Sequence, residues 1–137
     1  MSLDKIYLLD NGAYMIKASL ASDDKPQFHF NGMIKDKTNK NNLIFGNKVV
    51  EEIESGKYNS RYQHIVHPQN RGILQDSDMQ SLIWDNFLKK EENVDRTLVM
   101  TRQPMLPGFV EERYAEVIFE DFNFKSLAMV TPHSMLL

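Results

Sequence analysis

"KIYLLDNGAYMIKASL", residues Lys5–Leu20, is the stretch on which the reading of this chain turns. Two apolar runs flank Asn11-Gly12, so the stretch reads as two antiparallel strands joined by a tight turn whose two residues tolerate positive φ. Ile6, Tyr7, Leu8 and Leu9 are apolar at every position, as in a strand covered on both faces. Asp10 closes this first strand, and Lys17 stands alone among apolar neighbours on the second, residues 13–20. Two readings of the pair are open. In one, the aspartate caps a hairpin and the lysine lays its stem on apolar surface with its ammonium in water. In the other, the turn is a phosphate clamp. Its backbone N–H groups then meet an anion, Gly12 lets the backbone come close, Lys17 adds a point charge, and Asp10 holds a hydrated Mg²⁺.

Outward from the hairpin, strands and helices alternate. "QFHFNGMI" (27–34) reads as a third strand, followed by a polar loop over 35–42. "GNKVVEEIES" (46–55) is a short amphipathic helix, and 64–66 a brief strand. Asp76 caps a long helix in which Met79, Leu82, Ile83, Phe87 and Leu88 recur at helical spacing. Residues 96–101 form a buried strand. Past Pro104 and Pro107, residues 109–122 form a helix with Val110, Tyr114, Val117, Ile118 and Phe122 on one broad face. Residues 126–131 form a last strand, stopped by Pro132. Strands joined through helices place the chain in the α/β class.

Composition narrows the function classes. The 137 residues suit one domain with a sizeable core, and the net charge of −3 offers no basic surface for sequence-specific nucleic acid. Without cysteine there is no disulfide framework, thiolate zinc site or cysteine nucleophile. No apolar run approaches the roughly 18 residues of a membrane span, and no signal-peptide core opens the chain, so a soluble intracellular protein without membrane contact is expected. The glycine-rich nucleotide loops, the zinc-protease helix and the serine-hydrolase elbow are all missing. His64 and His67, three apart in extended chain, point to opposite faces and make a poor metal pair. Trp84 is read as a packing residue.

Longer matches choose between the two hairpin readings. "LLDNGAYMIKASLASDDKP" resembles the opening phosphate hairpin of actin and the actin-related proteins, whose pattern is Asp-Asn-Gly-Ser-Gly with a lysine three residues on. "FGNKVV", "HIVHPQNRGILQDSDMQSLIWDNFL" and "LVMTRQPMLPGFVEERYAEVIFEDFNF" are similar to later family segments in the same order, the last with Thr101, Pro104, Phe119, Glu120, Phe122 and Asn123 in place. The resemblance implies an actin-like ATPase domain of ribonuclease-H-like topology, a mixed five-stranded sheet with flanking helices, of which only the N-terminal portion is represented. It divides the chain into phosphate-hairpin strands of subdomain 1 (1–34), a reduced subdomain 2 (35–67) and the remaining subdomain 1 core (68–137). It implies that Asp10, Asn11, Gly12, Ala13, Tyr14 and Lys17 bind ATP or ADP, with Mg²⁺ held by Asp10 through water. The family's second phosphate loop and adenosine segment lie beyond Leu137, so nucleotide is expected only within a full-length protein.

Departures from the family pattern shape the functional expectation. Ala13-Tyr14 replaces Ser-Gly, which removes a hydroxyl that would meet the γ-phosphate and adds bulk where glycine admits the backbone. The 35–42 loop is shorter than the segment actin uses to touch its filament neighbour. No glutamine follows Gln103, and Pro132 or a neighbour takes the place of the one that positions the attacking water. These features are most similar to the subfamily of actin-related protein six, nuclear subunits of remodellers that exchange a histone variant. The implied protein is non-catalytic and nuclear, docks chromatin-remodeller subunits, forms no actin-like filament, and holds nucleotide with little hydrolysis. The alternative is an active, polymerising actin-type ATPase. A sugar-kinase or chaperone-type relative is disfavoured by the "MTRQP" to "FEDFN" match.

Overall fold

The structure, a computed structural model, describes residues 2–132. Strands β1 (Ile6–Asn11) and β2 (Met15–Leu20) pair antiparallel, with Asp10 opposite Lys17 and Asn11 opposite Ile16. Residues 12–14 therefore make the turn, which is wider than the expected two-residue form, and neither Asn11 nor Gly12 has positive φ. Glycine is required there by proximity instead. A Cβ on Gly12 would lie 2.4 Å from the Met15 carbonyl oxygen.

β3 (Gln27–Phe30) adds to β2, and the expected single strand over 27–34 breaks at Asn31-Gly32. β4 (Met33–Asp36) belongs to a separate sheet with β5 (Ile44–Phe45) and, after helix α1 (Asn47–Glu54), β6 (Gln63–Val66), in the order β5-β4-β6. The break has a local cause. Asn31 N–H donates to the Tyr14 carbonyl, and a side chain at Gly32 would collide with the Phe30 ring. The small sheet has its own core of Phe30, Ile34 and Val49. Ile34 belongs to that small core, whereas Met33, its neighbour on β4, packs into the main core.

β7 (Gln69–Asn70) and β8 (Ile73–Leu74) form a two-residue hairpin unforeseen from sequence, with Arg71 and Gly72 at φ 52° and 81°. Helix α2 spans only Ser77–Trp84. Asp76 caps it as expected, its Oδ1 accepting from Met79 N–H at 3.0 Å. Asp85 and Asn86, both poor helix formers, turn the chain after Trp84. Leu88 is still delivered to the core, while Leu82 stays exposed. β9 (Thr97–Thr101) is followed by α3 (Gly108–Glu116), which widens into a π-helical turn over Val117–Asp121 where a continuous α-helix was expected. β10 (Ser126–Val130) completes the main sheet.

That sheet has the order β10-β9-β1-β2-β3, parallel from β10 to β1 and antiparallel from β1 to β3. It is the mixed five-stranded arrangement that the resemblance implies. Tyr7, Leu9, Ile16, Ala18, Leu98 and Met100 are buried beneath α2 and α3, against Ile83, Trp84, Val110, Tyr114 and Ile118. Each such aliphatic burial stabilises the fold by about 1.5–3 kcal/mol. The opposite face is open among the described residues, with Leu8 39% and Phe28 55% exposed. β1 is therefore covered on one face, not on both as its apolar run suggested.

Candidate functional site

The period-2 alternation of β1 separates its two polar residues. Asp10 goes to the open face with Lys17 and Thr101, and Asn11 goes to the covered face. The Thr101 hydroxyl donates to Asp10 Oδ1 at 2.8 Å, and Lys17 Nζ stands 3.9 Å from Asp10 Oδ2. Both side chains of this ion pair are about half exposed, so screening limits it to about 1 kcal/mol or less. A carboxylate and an ammonium so placed remain available to a ligand.

A cavity of about 250 Å³ opens where β1, β9 and β10 end, against Asp10, Gly12, Ala13, Arg71, Thr101 and Pro132. Ligands of open α/β sheets gather at the carboxyl ends of parallel strands. Among the described residues, the Ala13 and Tyr14 N–H groups make no hydrogen bond, so the turn keeps two free donors, of which Ala13 lines this cavity. Lys17 does not line it. Lys17 lies over an apolar groove on the open face with Leu8, Val99 and Val130, and the two depressions share Asp10 and Thr101.

Behind the turn lies a cluster of buried amides that the sequence reading missed. Asn11 Nδ2 donates to Gln80 Oε1 at 3.0 Å, Gln80 Nε2 to Asn31 Oδ1 at 2.9 Å, and Asn31 Nδ2 to the Gly12 carbonyl at 2.9 Å. Trp84 Nε1 donates to Asn11 Oδ1 at 3.1 Å, and Gln69 Nε2 to the Asn11 carbonyl at 2.6 Å. Burial pushes the Tyr114 phenol up to about 12, against a lowering by its side-chain hydrogen bond with Asn11. Asn11 therefore contributes backbone to the cavity wall, while its side chain anchors the turn from behind. Gln80 carried a legible signal, being a polar residue between Met79 and Ile83 on the apolar stripe of a helix.

Tyr14 also takes a definite place. Its ring is 65% exposed, meets Phe30 edge-on at 5.0 Å and lies 6.0 Å from His67, and it does not line the cavity. Its bulk leans on the two chain segments that enter and leave the small lobe, and the cavity stays clear. His67 Nδ1 donates to the Asn31 carbonyl at 2.7 Å, so His67 serves the hinge and forms no pair with His64. His29 stacks on Phe87 at 4.0 Å with Nε2 unpartnered, and burial lowers its pKa.

The donor set suits a phosphate anion: two free turn amides, a close-approach glycine and nearby cations. It suits a cation less fully. No group of three or more His, Asp or Glu side chains able to hold a metal occurs among the described residues. A Mg²⁺ near Asp10 would take its remaining ligands from water and phosphate oxygens. No helix among the described residues is long and apolar enough to cross a membrane.

Comparison with known proteins agrees with this geometry. The actin family profile matches residues 4–136. The chain is 28% identical to the actin-like protein ARP6 of Cryptococcus neoformans over 142 aligned positions, covering 99% of this chain and 28% of that protein. It is also 28% identical to actin-related protein 6 of Drosophila melanogaster, covering 92% of this chain and 31% of that protein. Against actin-related protein 2 of Schizosaccharomyces pombe the identity is 24%, covering 85% and 32%. The chain thus spans about a third of the length of the relatives it matches. With the family profile running almost end to end over this mixed sheet and its clamp-like turn, the chain belongs to the actin family.

Proposed function

We propose that this chain is part of an actin-related protein that works as a structural and interaction subunit of a nuclear chromatin-remodelling complex. In this reading it holds ATP or ADP with Mg²⁺ as a stiffening ligand and hydrolyses it poorly. The observation that carries the proposal is the wall of the cavity beside the turn. Ala13 supplies no hydroxyl there, and at the end of β10 the wall carries Pro132 where the family pattern has its water-positioning glutamine, while Gln103 lines the wall from beyond β9. Phosphoryl transfer to water depends on such positioning, so a site that binds phosphate without it retains ligand and loses chemistry. The similarity to proteins named actin-related protein 6 from several organisms supports the subfamily part of this reading.

The residues have distinct parts in this proposal. The Ala13 and Tyr14 amides receive phosphate oxygens, Gly12 lets the backbone approach them, Lys17 extends to the phosphates from the adjoining groove past Asp10, and Asp10 orients the hydrated cation. Asn11 holds the turn rigid through its amide partners. The test is nucleotide content of the full-length protein after gentle purification, with single-turnover hydrolysis on the same sample. Bound nucleotide with negligible turnover is expected, and Lys17→Ala should lower affinity about ten- to a hundredfold by loss of a charge-assisted contact. Rapid hydrolysis, or filaments under actin-polymerising conditions, would overturn the proposal. So would a nucleotide-free protein indifferent to Lys17→Ala.

A further inference from the structure

We propose that Arg71, at the tip of the β7–β8 hairpin, is a phosphate-binding residue of the cavity beside the Gly12–Tyr14 turn and supplies a cation on the wall of that cavity, which Lys17 does not line. The inference rests on the phosphate reading of that turn and adds a ligand to it.

Three observations carry it. Arg71 lines the cavity together with Asp10, Gly12 and Ala13. The hairpin beneath it is fastened to the turn, because Gln69, two residues before Arg71, donates from Nε2 to the Asn11 carbonyl at 2.6 Å, and Gln69 is buried. The Arg71 position is therefore held by the same backbone that would contact the ligand. The third observation concerns charge. Arg102, the other arginine at the cavity, is ion-paired with Glu111, whereas Arg71 has no ion-pair or hydrogen-bond partner among the described residues. Asp10 is engaged by Thr101 and Lys17, so it does not claim the guanidinium.

The backbone adds to this. Arg71 sits at φ 52° and Gly72 at φ 81°, the paired positive values of a type I′ turn. Asparagine or glycine suits the first of these positions, and a long side chain there is locally disfavoured. Gly72 is pressed onto Gln103, whose Cγ would lie 2.2 Å from a Cβ at that position, so the turn has little freedom to reorient. A guanidinium with parallel N–H donors matches a phosphate face in a way that the Lys17 ammonium does not. The ligand chemistry is a phosphate oxyanion, either the terminal phosphate of a nucleotide or free inorganic phosphate.

The turn type makes a clean test possible. Arg71→Asn creates Asn-Gly, the preferred type I′ pair, so it removes the charge without harming the hairpin, and thermal unfolding should show unchanged or higher stability. Arg71→Lys keeps a charge and loses the fork. The full-length protein, freed of bound nucleotide, would be titrated with inorganic phosphate and with tripolyphosphate, following the Ala13 and Tyr14 amides and the Arg71 side-chain Nε–H by NMR. We expect coupled shifts of all three groups, about tenfold weaker tripolyphosphate binding in Arg71→Asn, and partial recovery in Arg71→Lys. Identical titrations for the wild type and Arg71→Asn would overturn the inference, as would the absence of any shift. Phosphate binding that needs Arg71 in a protein purified without nucleotide would uphold this inference while the proposed function failed. Bound nucleotide indifferent to Arg71→Asn would do the reverse. Tripolyphosphate shifts without inorganic phosphate shifts point to the nucleotide source, and equal response to both points to free phosphate; either upholds the site.

Discussion

Replacing Gln80 by leucine should destabilise the protein far more than its single-residue size suggests. Gln80 is fully buried and bridges two side chains, accepting from Asn11 Nδ2 and donating to Asn31 Oδ1. Leucine fills much of the same volume but leaves both groups without a partner, and Asn31 is itself fully buried. Each orphaned buried group costs about 1–3 kcal/mol, and the added apolar burial returns about 1 kcal/mol, so a net loss of about 1–5 kcal/mol is expected. With a urea dependence of about 1–3 kcal/mol per molar, the middle of these ranges puts the fall in midpoint at about 1.5 M. Trp84 is the only tryptophan and donates to Asn11 Oδ1, so its fluorescence reports both unfolding and the state of the cluster. Ser81→Ala on the same helix removes only an exposed bond to Asp121 and should cost less than about 1 kcal/mol. A Gln80→Leu loss below about 1 kcal/mol, with unchanged urea dependence, would refute the view that these amides anchor the turn.

Other outcomes follow from the same geometry. Gly12→Ala places a methyl 2.4 Å from the Met15 carbonyl oxygen, so the turn must shift, and thermal unfolding should show a loss of about 1–3 kcal/mol; an unchanged melting temperature would contradict the close approach. Asp76→Ala removes the cap of α2 and should cost about 1 kcal/mol in urea unfolding, whereas Asp76→Asn should cost less. Burial lowers the His29 pKa below its ordinary 6.5, so the unfolded chain takes up the proton first as the pH falls. The contribution of His29 is thus complete above pH 6.5 and is lost progressively below it. Urea midpoints measured across that range should slope less in His29→Phe, and identical slopes would count against the stacked, unpartnered ring.

The sequence by itself determined the alternation of strands and helices, the Asp76 cap, and the family, because period, capping chemistry and ordered motifs are local properties. It also determined that Asp10 and Lys17 flank one turn, since a hairpin pairs near neighbours. What it could not determine depended on contacts far along the chain. The strand expected over 27–34 divides because Asn31 is held by Tyr14 and Gly12, and nothing within that strand encodes those partners. The helix expected to reach Leu88 stops at Trp84, and Leu88 reaches the core by turns instead. The larger difference lies at the site. Asn11 and Lys17 are equally polar in sequence, yet the pleat of β1 and β2 sends Asn11 into a buried amide cluster and Lys17 onto an open apolar face. Arg71, some sixty residues away in sequence, comes to the cavity only because Gln69 bonds to the Asn11 carbonyl. Local pattern sets which polar groups each strand and turn carries, but side-chain hydrogen bonds between distant residues decide which of them come together at the cavity.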